Sequence, residues 1–221
     1  VSPGVSTTFV VQYNVYNRRI VIDPKSFAAS GVNTTANSFT ISDHGFATGD
    51  KIIHTSSSPC EGLTDNAIYY VIKVDSNTFK LADTYHESTQ PKPNVVGVGS
   101  TSTGTINPIN PQVKAYKNQD AIFDLSHSSL GYSHQSTDYP AFRLNFYKDE
   151  NFTKIWDTSQ RDSRFNVTRT GTTGVSTNAN VTVSITENVP EILFYKFDPI
   201  QESTLPTLKA QIDVDADVVA G

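Results

Sequence analysis

The 221 residues carry 17 basic and 22 acidic side chains, 37% hydrophobic residues, one cysteine and no methionine. A lone cysteine excludes an internal disulfide or a cysteine zinc cluster, and the chain lacks the basic footprint that phosphate neutralisation requires, which argues against nucleic acid as a partner. No run approaches the ~18 apolar residues of a membrane-spanning helix.

The acidic excess is local. Glu187, Glu191, Asp198, Glu202, Asp213, Asp215 and Asp217 stand against only Lys196 and Lys209, so the rest of the chain is balanced. No charged-then-apolar leader opens the sequence. The missing methionine, position 1 included, gives the expectation that this is a processed piece of a longer polypeptide.

Taken in chain order, residues 1–29 form an extended segment. Phe9, Val10, Val11, Tyr13, Val15 and Ile20-Val21-Ile22 have strand composition, and Asp23-Pro24 stops the run. Alone it has too little apolar surface to fold, so it is expected to pair with a neighbouring module. Residues 30–107 predict a small SH3-like barrel. Its strands are Ser38–Ile41, Lys51–His54, Ile68–Val74 and Thr78–Ala82, with a two-glycine turn at His44–Asp50. Asp75-Ser76-Asn77 between alternating runs is the strongest hairpin signal. Cys60, in Ser58-Pro59-Cys60-Glu61-Gly62, reads as a small half-buried loop residue. Asn107-Pro108-Ile109-Asn110-Pro111 marks the domain boundary, because two prolines remove ladder donors.

Residues 108–200 predict an Ig-like or cupredoxin-like β-sandwich with strands Gln112–Tyr116, Ala121–Leu125, Ala141–Tyr147, Arg164–Thr170, Asn180–Thr186 and Ile192–Phe197. Phe142/Leu144/Phe146 alternate with Arg143/Asn145/Tyr147, and Val181/Val183/Ile185 with Thr182/Ser184/Thr186. Trp156 is expected in the core, and Asp149–Trp156 as one helical turn. Residues 201–221 read as a C-terminal strand or linker for a following module. The expected fold class is therefore all-β, a barrel followed by a sandwich, with both terminal strands pairing outside.

Chemistry is sparse. His127 and His134 share a serine-containing loop, but no nucleophile elbow, positioned acid or third ligand accompanies them. A blue-copper site would need a cysteine beside two histidines, and Cys60 lies in the other module. Asp213, Asp215 and Asp217 lie on one strand face about 6.5–7 Å apart; they read as edge charges, and the sequence leaves calcium binding by them open. Sequons occur at Asn33, Asn151, Asn166 and Asn180. Tyr13, Tyr16, Tyr69, Tyr70, Tyr132, Tyr139 and Tyr147 are candidate sugar-stacking faces, although strand aromatics are more often core. A polysaccharide-degrading site would need two carboxylates about 5–10 Å apart, and Asp149/Glu150 and Asp157/Asp162 are the central acidic pairs. No catalytic, cofactor-binding or metal-ligating residue is assigned.

Two stretches carry a resemblance. His44-Gly45-Phe46-x-Thr48-Gly49-Asp50-Lys51, Gly62-Leu63-Thr64-Asp65, Tyr69-Tyr70-Val71-Ile72-x-Val74-Asp75 and Thr78–Ala82 resemble a β-module of structural proteins of tailed phages, especially marine ones. Phe123-Asp124-Leu125-Ser126-x-Ser128-Ser129-Leu130, Tyr139-Pro140-Ala141-Phe142, Phe146-Tyr147-x-Asp149 and Leu193-Phe194-Tyr195-Lys196-x-Asp198-Pro199 resemble repeat units in long virion proteins of marine contractile-tailed phages. These are turn and core residues and carry over no catalytic group. The resemblance implies a non-enzymatic spacer or adaptor of a tail, baseplate or fibre, located in the virion. Its expected partners are other virion subunits or copies of itself, met through terminal strands and sheet edges. A secreted bacterial adhesin or surface filament binding glycan is the alternative, with a host-surface glycan as its ligand.

Overall fold

Phe9 and Val11 are buried while Val10 between them is exposed, and this period of two makes Thr7–Asn14 a strand, β1. The structure, a computed structural model, describes residues 6–156, 165–185 and 192–200. Among them the protein is all-β. The chain divides into two units, one built from Val1–Ile22 and Asn110–Gly221, the other from Asp23–Ile109.

The discontinuous unit begins with β1 and β2 (Arg19–Ile22). β1 divides its ladder: Thr7–Val10 pair in parallel with Ala121–Asp124, and Val11–Asn14 pair antiparallel with β2. The N-terminal segment, expected to seek a neighbouring module, is thus taken up by its own chain. The reason lies in Phe9 and Val11, which gain a core only against Phe123 and Val181, residues far away in sequence.

The contiguous unit is an insertion between β2 and the rest of the first. It holds β3 (Lys25–Phe27), β4 (Val32–Asn33), β5 (Ser38–Thr40), β6 (Lys51–Thr55), β7 (Ala67–Lys73), β8 (Thr78–Ala82), a short helix α1 (Tyr85–Thr89) and β9 (Gly104–Pro108). Their order, β3-β9-β6-β7-β8-β5-β4, makes one strongly curved, nearly closed sheet of seven strands. Phe39 and Phe79 stack at its centre, ring centroids 5.6 Å apart, with Phe27 edge-on to Phe39 at 5.2 Å. The β7–β8 hairpin forms where the sequence places it: Asp75 Oδ1 accepts the Asn77 and Thr78 amides at 2.7 and 2.8 Å. Helix α1 starts at Thr84, whose hydroxyl oxygen accepts the Glu87 amide at 3.1 Å. β3 extends the barrel to before residue 30, and Asn107-Pro108, read as the start of the Asn107–Pro111 joint, instead end β9, a strand between β3 and β6. Pro108 is tolerated as the last residue of that strand.

The chain then returns to the first unit with β10 (Gln119–Asp124), a single 3-10 turn at Ser128–Leu130, β11 (Gly131–His134), β12 (Thr137–Pro140), β13 (Phe142–Tyr147), β14 (Ile155–Trp156), β15 (Phe165–Thr170), β16 (Asn180–Ile185) and β17 (Phe194–Pro199). One sheet runs β15-β16-β10-β1-β2, another β14-β13-β17, and β11-β12 form a hairpin. Phe123, Leu144, Phe146, Trp156 and Phe197 fill the core, each buried side chain contributing about 1.5–3 kcal/mol. Gln112–Tyr116 is not a strand, although Val113 and Ala115 still pack on the core. Asp149–Trp156 is not a helical turn: residues 148–154 form a hairpin loop and Ile155–Trp156 are β14, while the C-terminal strand expected in 201–221 lies outside the described residues.

Two close features position the parts. Gly174, at φ +69°, lies where a Cβ would stand 2.2 Å from the Gly131 nitrogen. At the insertion, Lys25–Phe27 pair directly with Gly104–Ile106, and the Asn110 amide donates to the Ile20 carbonyl at 3.2 Å. The insertion therefore begins and ends on neighbouring strands. Asp23–Ile109 expressed alone should show one cooperative thermal transition by circular dichroism. The remainder, with 24–108 replaced by a short glycine-serine turn, should fold as well. Aggregation of either piece would contradict the autonomy of the units.

Candidate functional site

Polar groups concentrate on the face of β13 and β17 that points away from Leu144 and Phe197. Register places Arg143 opposite Asp198, Asn145 opposite Lys196 and Tyr147 opposite Phe194. Asp198 Oδ2 accepts the Asn145 amide at 2.7 Å and the Tyr147 hydroxyl at 2.8 Å, while Oδ1 meets Lys196 Nζ at 3.1 Å. Arg169 Nη2 donates to the other end of the Asn145 amide at 3.4 Å. Burial, then the Asp198 hydrogen bond, pushes the Tyr147 phenol up to about 12, so it stays a donor.

An aromatic cap sits beside this lattice. Phe152 meets Tyr147 edge-on at 5.3 Å and Phe194 at 6.3 Å. It does so at φ +53°, a conformation that costs a bulky residue about 1–3 kcal/mol. The loop is held by Asp149, which accepts the Thr153 hydroxyl and the Thr153 and Lys154 amides. The Thr153 hydroxyl, then those amides, hold the Asp149 carboxyl below its ordinary value. Lys148 lies over the Trp156 ring at 4.0 Å.

Asp198 on β17 accepts from Asn145 and Tyr147 on β13, so the arrangement clamps β17 to β13. Asp198→Ala should cost about 3 kcal/mol, because two largely buried donors lose their acceptor. Urea unfolding followed by Trp156 fluorescence measures it. A loss below about 1 kcal/mol would mean that water replaces the carboxylate. Sequence alternation reads Asn145 and Tyr147 as solvent-facing, yet both are buried at 8% exposure. The signal was the facing pair Asn-x-Tyr and Lys-x-Asp.

The other candidates are placed apart. His127 Nδ1 accepts the Ser129 hydroxyl at 2.7 Å and the Ser129 amide at 3.2 Å, capping the 3-10 turn, and Ser129 Oγ in turn accepts the Tyr13 amide. His134 is at the tip of the β11–β12 hairpin, opposite Thr137. Among the described residues no three His, Cys, Asp or Glu side chains cluster to hold a metal. Glu150 is exposed, whereas Asp157, Asp162, Asp213, Asp215 and Asp217 lie outside the described residues. Cys60 is fully buried, and burial pushes its thiol up. Asn33 and Asn151 are exposed, Asn180 is half-buried, and the Asn166 side chain is not described.

The tyrosines divide. Tyr69 and Tyr147 are core, Tyr13 packs on Phe142, and Tyr70 meets Tyr85 edge-on. Tyr16, at 79% exposure, projects from the β1–β2 loop, and Tyr132 and Tyr139 stack across their hairpin at 5.5 Å. Among the described residues, β3, β4, β14, β15 and β17 each form a ladder on one side only, which leaves sheet edges suited to accepting a further strand. No family model, curated protein or solved structure matches the chain.

Proposed function

We propose that the chain is a non-enzymatic structural segment of a virion, a spacer or adaptor in a phage tail, baseplate or fibre that assembles through its sheet edges. The observation that carries this reading is the nesting of one β-unit inside another, with edge strands on both. Such an architecture adds a second folded unit to a module without adding a free chain end. It supports the resemblance from a second direction, since the resembling motifs fall on turns and strands that build the two units: His44–Lys51 between β5 and β6, and Phe123–Leu130 from β10 into the 3-10 turn. The polar lattice around Asp198 supports a rigid part in place of a reactive one.

Cryo-electron microscopy of the native assembly tests the proposal. Density continuous from this segment into further modules of a particle, with β15 or β17 extended by another strand, is the expected result. A secreted filament on a bacterial surface, or a free monomer with bound glycan, would overturn it.

A further inference from the structure

Of the five histidines, His86, His127 and His134 are exposed, while His44 and His54 are buried, and both buried ones lie in the inserted barrel. Their surroundings fix each in a neutral form.

His44 follows β5 and stacks on Phe46 at 5.0 Å, edge-on to Phe79 at 5.2 Å. Its Nδ1 accepts the Phe46 amide at 2.9 Å, so the ring proton sits on Nε2 and is donated to the Asp75 carbonyl at 3.0 Å. Both nitrogens are used. A second proton could enter at Nδ1 only by expelling the Phe46 amide.

His54 is the fourth residue of β6 and is wholly inaccessible. Its Nδ1 lies 3.3 Å from the Thr64 carbonyl, which can only accept, so Nδ1 carries the proton. Nε2 is buried without a hydrogen-bond partner, beside the rings of Phe27 and Tyr69. Protonation there would create a buried cationic donor with no acceptor.

The nearby charges do not compensate. Around His44, Asp75 and Asp50 favour the imidazolium and Lys73 opposes it; around His54, only Asp65 favours it. The Asp65 carboxylate is already engaged by the Ser56 amide and the Asn66 side chain. Burial outweighs these influences and pushes both imidazoles below their ordinary value.

We propose that the inserted barrel is an acid-operated element: uptake of protons by His44 and His54 opens it at a pH where the sandwich is still folded. An unfolded barrel leaves both imidazoles near their ordinary value of about 6.5. Between there and the lower folded-state values the open form holds two more protons, so stability is full above the window and is lost as pH falls through it. The open fraction should rise up to about tenfold per pH unit for each histidine and a hundredfold for both. In the same unit Asp50, raised by burial, works the other way, but only as acid enters the carboxylate range. Asp75 and Glu87 in the barrel and Asp149 in the sandwich, held low by hydrogen bonds, lose their contribution lower still. The imidazole window therefore comes first.

Hydrogen exchange read by mass spectrometry on the full chain from pH 7.5 to 5 tests this, after correction for intrinsic rates. Peptides from 39–82 should lose protection steeply while those covering 121–125 and 142–147 stay protected. Simultaneous loss in both units would overturn the proposal. His54→Leu should reduce the slope to about tenfold per unit, and His86→Gln should leave it unchanged. Should His54→Leu fail to fold, nitrogen NMR of the unaltered chain decides. The expected spectrum shows His44 protonated on Nε2 and His54 on Nδ1 until the barrel opens. Titration of both rings near 6.5 with the barrel signals intact would refute the idea.

Discussion

Gly174→Ala should destabilise the sandwich by about 4 kcal/mol and leave the barrel's stability unchanged. The new methyl group would lie 2.2 Å from the Gly131 nitrogen and 2.3 Å from the Leu130 carbonyl carbon, both backbone atoms that no rotamer change can move. Its φ of +69° adds a left-handed conformation that alanine resists. The neighbouring strand cannot retreat easily, because the Leu130 carbonyl accepts the Ala141 amide and the Gly174 amide is tied to the Leu125 carbonyl. Strain and overpacking together come to about 4 kcal/mol, a large part of the 5–15 kcal/mol that ~100–200-residue domains possess. Trp156, the one tryptophan, is buried in this unit and reports its unfolding. Tyr69 and the methyl groups of Ile52 and Leu81 report the barrel. A loss under about 1 kcal/mol would mean the two segments separate without cost, contrary to the packing described.

Phe79→Ala should destabilise the barrel by about 3–5 kcal/mol and, unlike the glycine substitution, carry its effect across to the other unit. Phe79 is fully buried and touches the rings of Phe39, His44 and Phe46, so its loss empties the middle of that core. The asymmetry follows from chain connectivity. A folded barrel holds residues 25 and 106 on adjacent strands, so the sandwich closes β2 to β10 across a short effective loop. An unfolded barrel turns that connection into a long loop, roughly two to three doublings of length, at about 1.5 kcal/mol. Urea titration followed at Trp156 should show the sandwich midpoint of Phe79→Ala shifted by that amount, with the barrel transition separated to lower urea. An unshifted sandwich would show that the barrel's fold does not assist closure.

The sequence reveals structure where one segment decides it. Asp75-Ser76-Asn77 makes its turn from its own carboxylate and amides, and Val181, Val183 and Ile185 alternate without help from elsewhere. The placement of β1 was hidden, since its partners are β2 on one half and distant β10 on the other. The β11–β12 hairpin was hidden for another reason. Its turn residues Gln135 and Ser136 both take positive φ, 48° and 62°, with neither the asparagine nor the glycine that announces such turns. Burial of His44 and His54, and of Asn145 and Tyr147, depends on what packs over them. Spacing alone does not show that.

The parallel pairing of Thr7 with Ala121 also has a consequence for synthesis. Translation at about 5–20 residues per second places roughly 5–20 s between the emergence of β1 and that of its partner. During that interval the nascent chain carries Phe9 and Val11 uncovered, and the hairpin that Val11–Asn14 form with β2 is too small to persist by itself. The barrel, complete by Ile109, can fold meanwhile. The newborn chain thus passes through a stage with a finished inserted module and an uncovered apolar segment ahead of it, during which a ribosome-associated chaperone would have its natural point of engagement at residues 7–22.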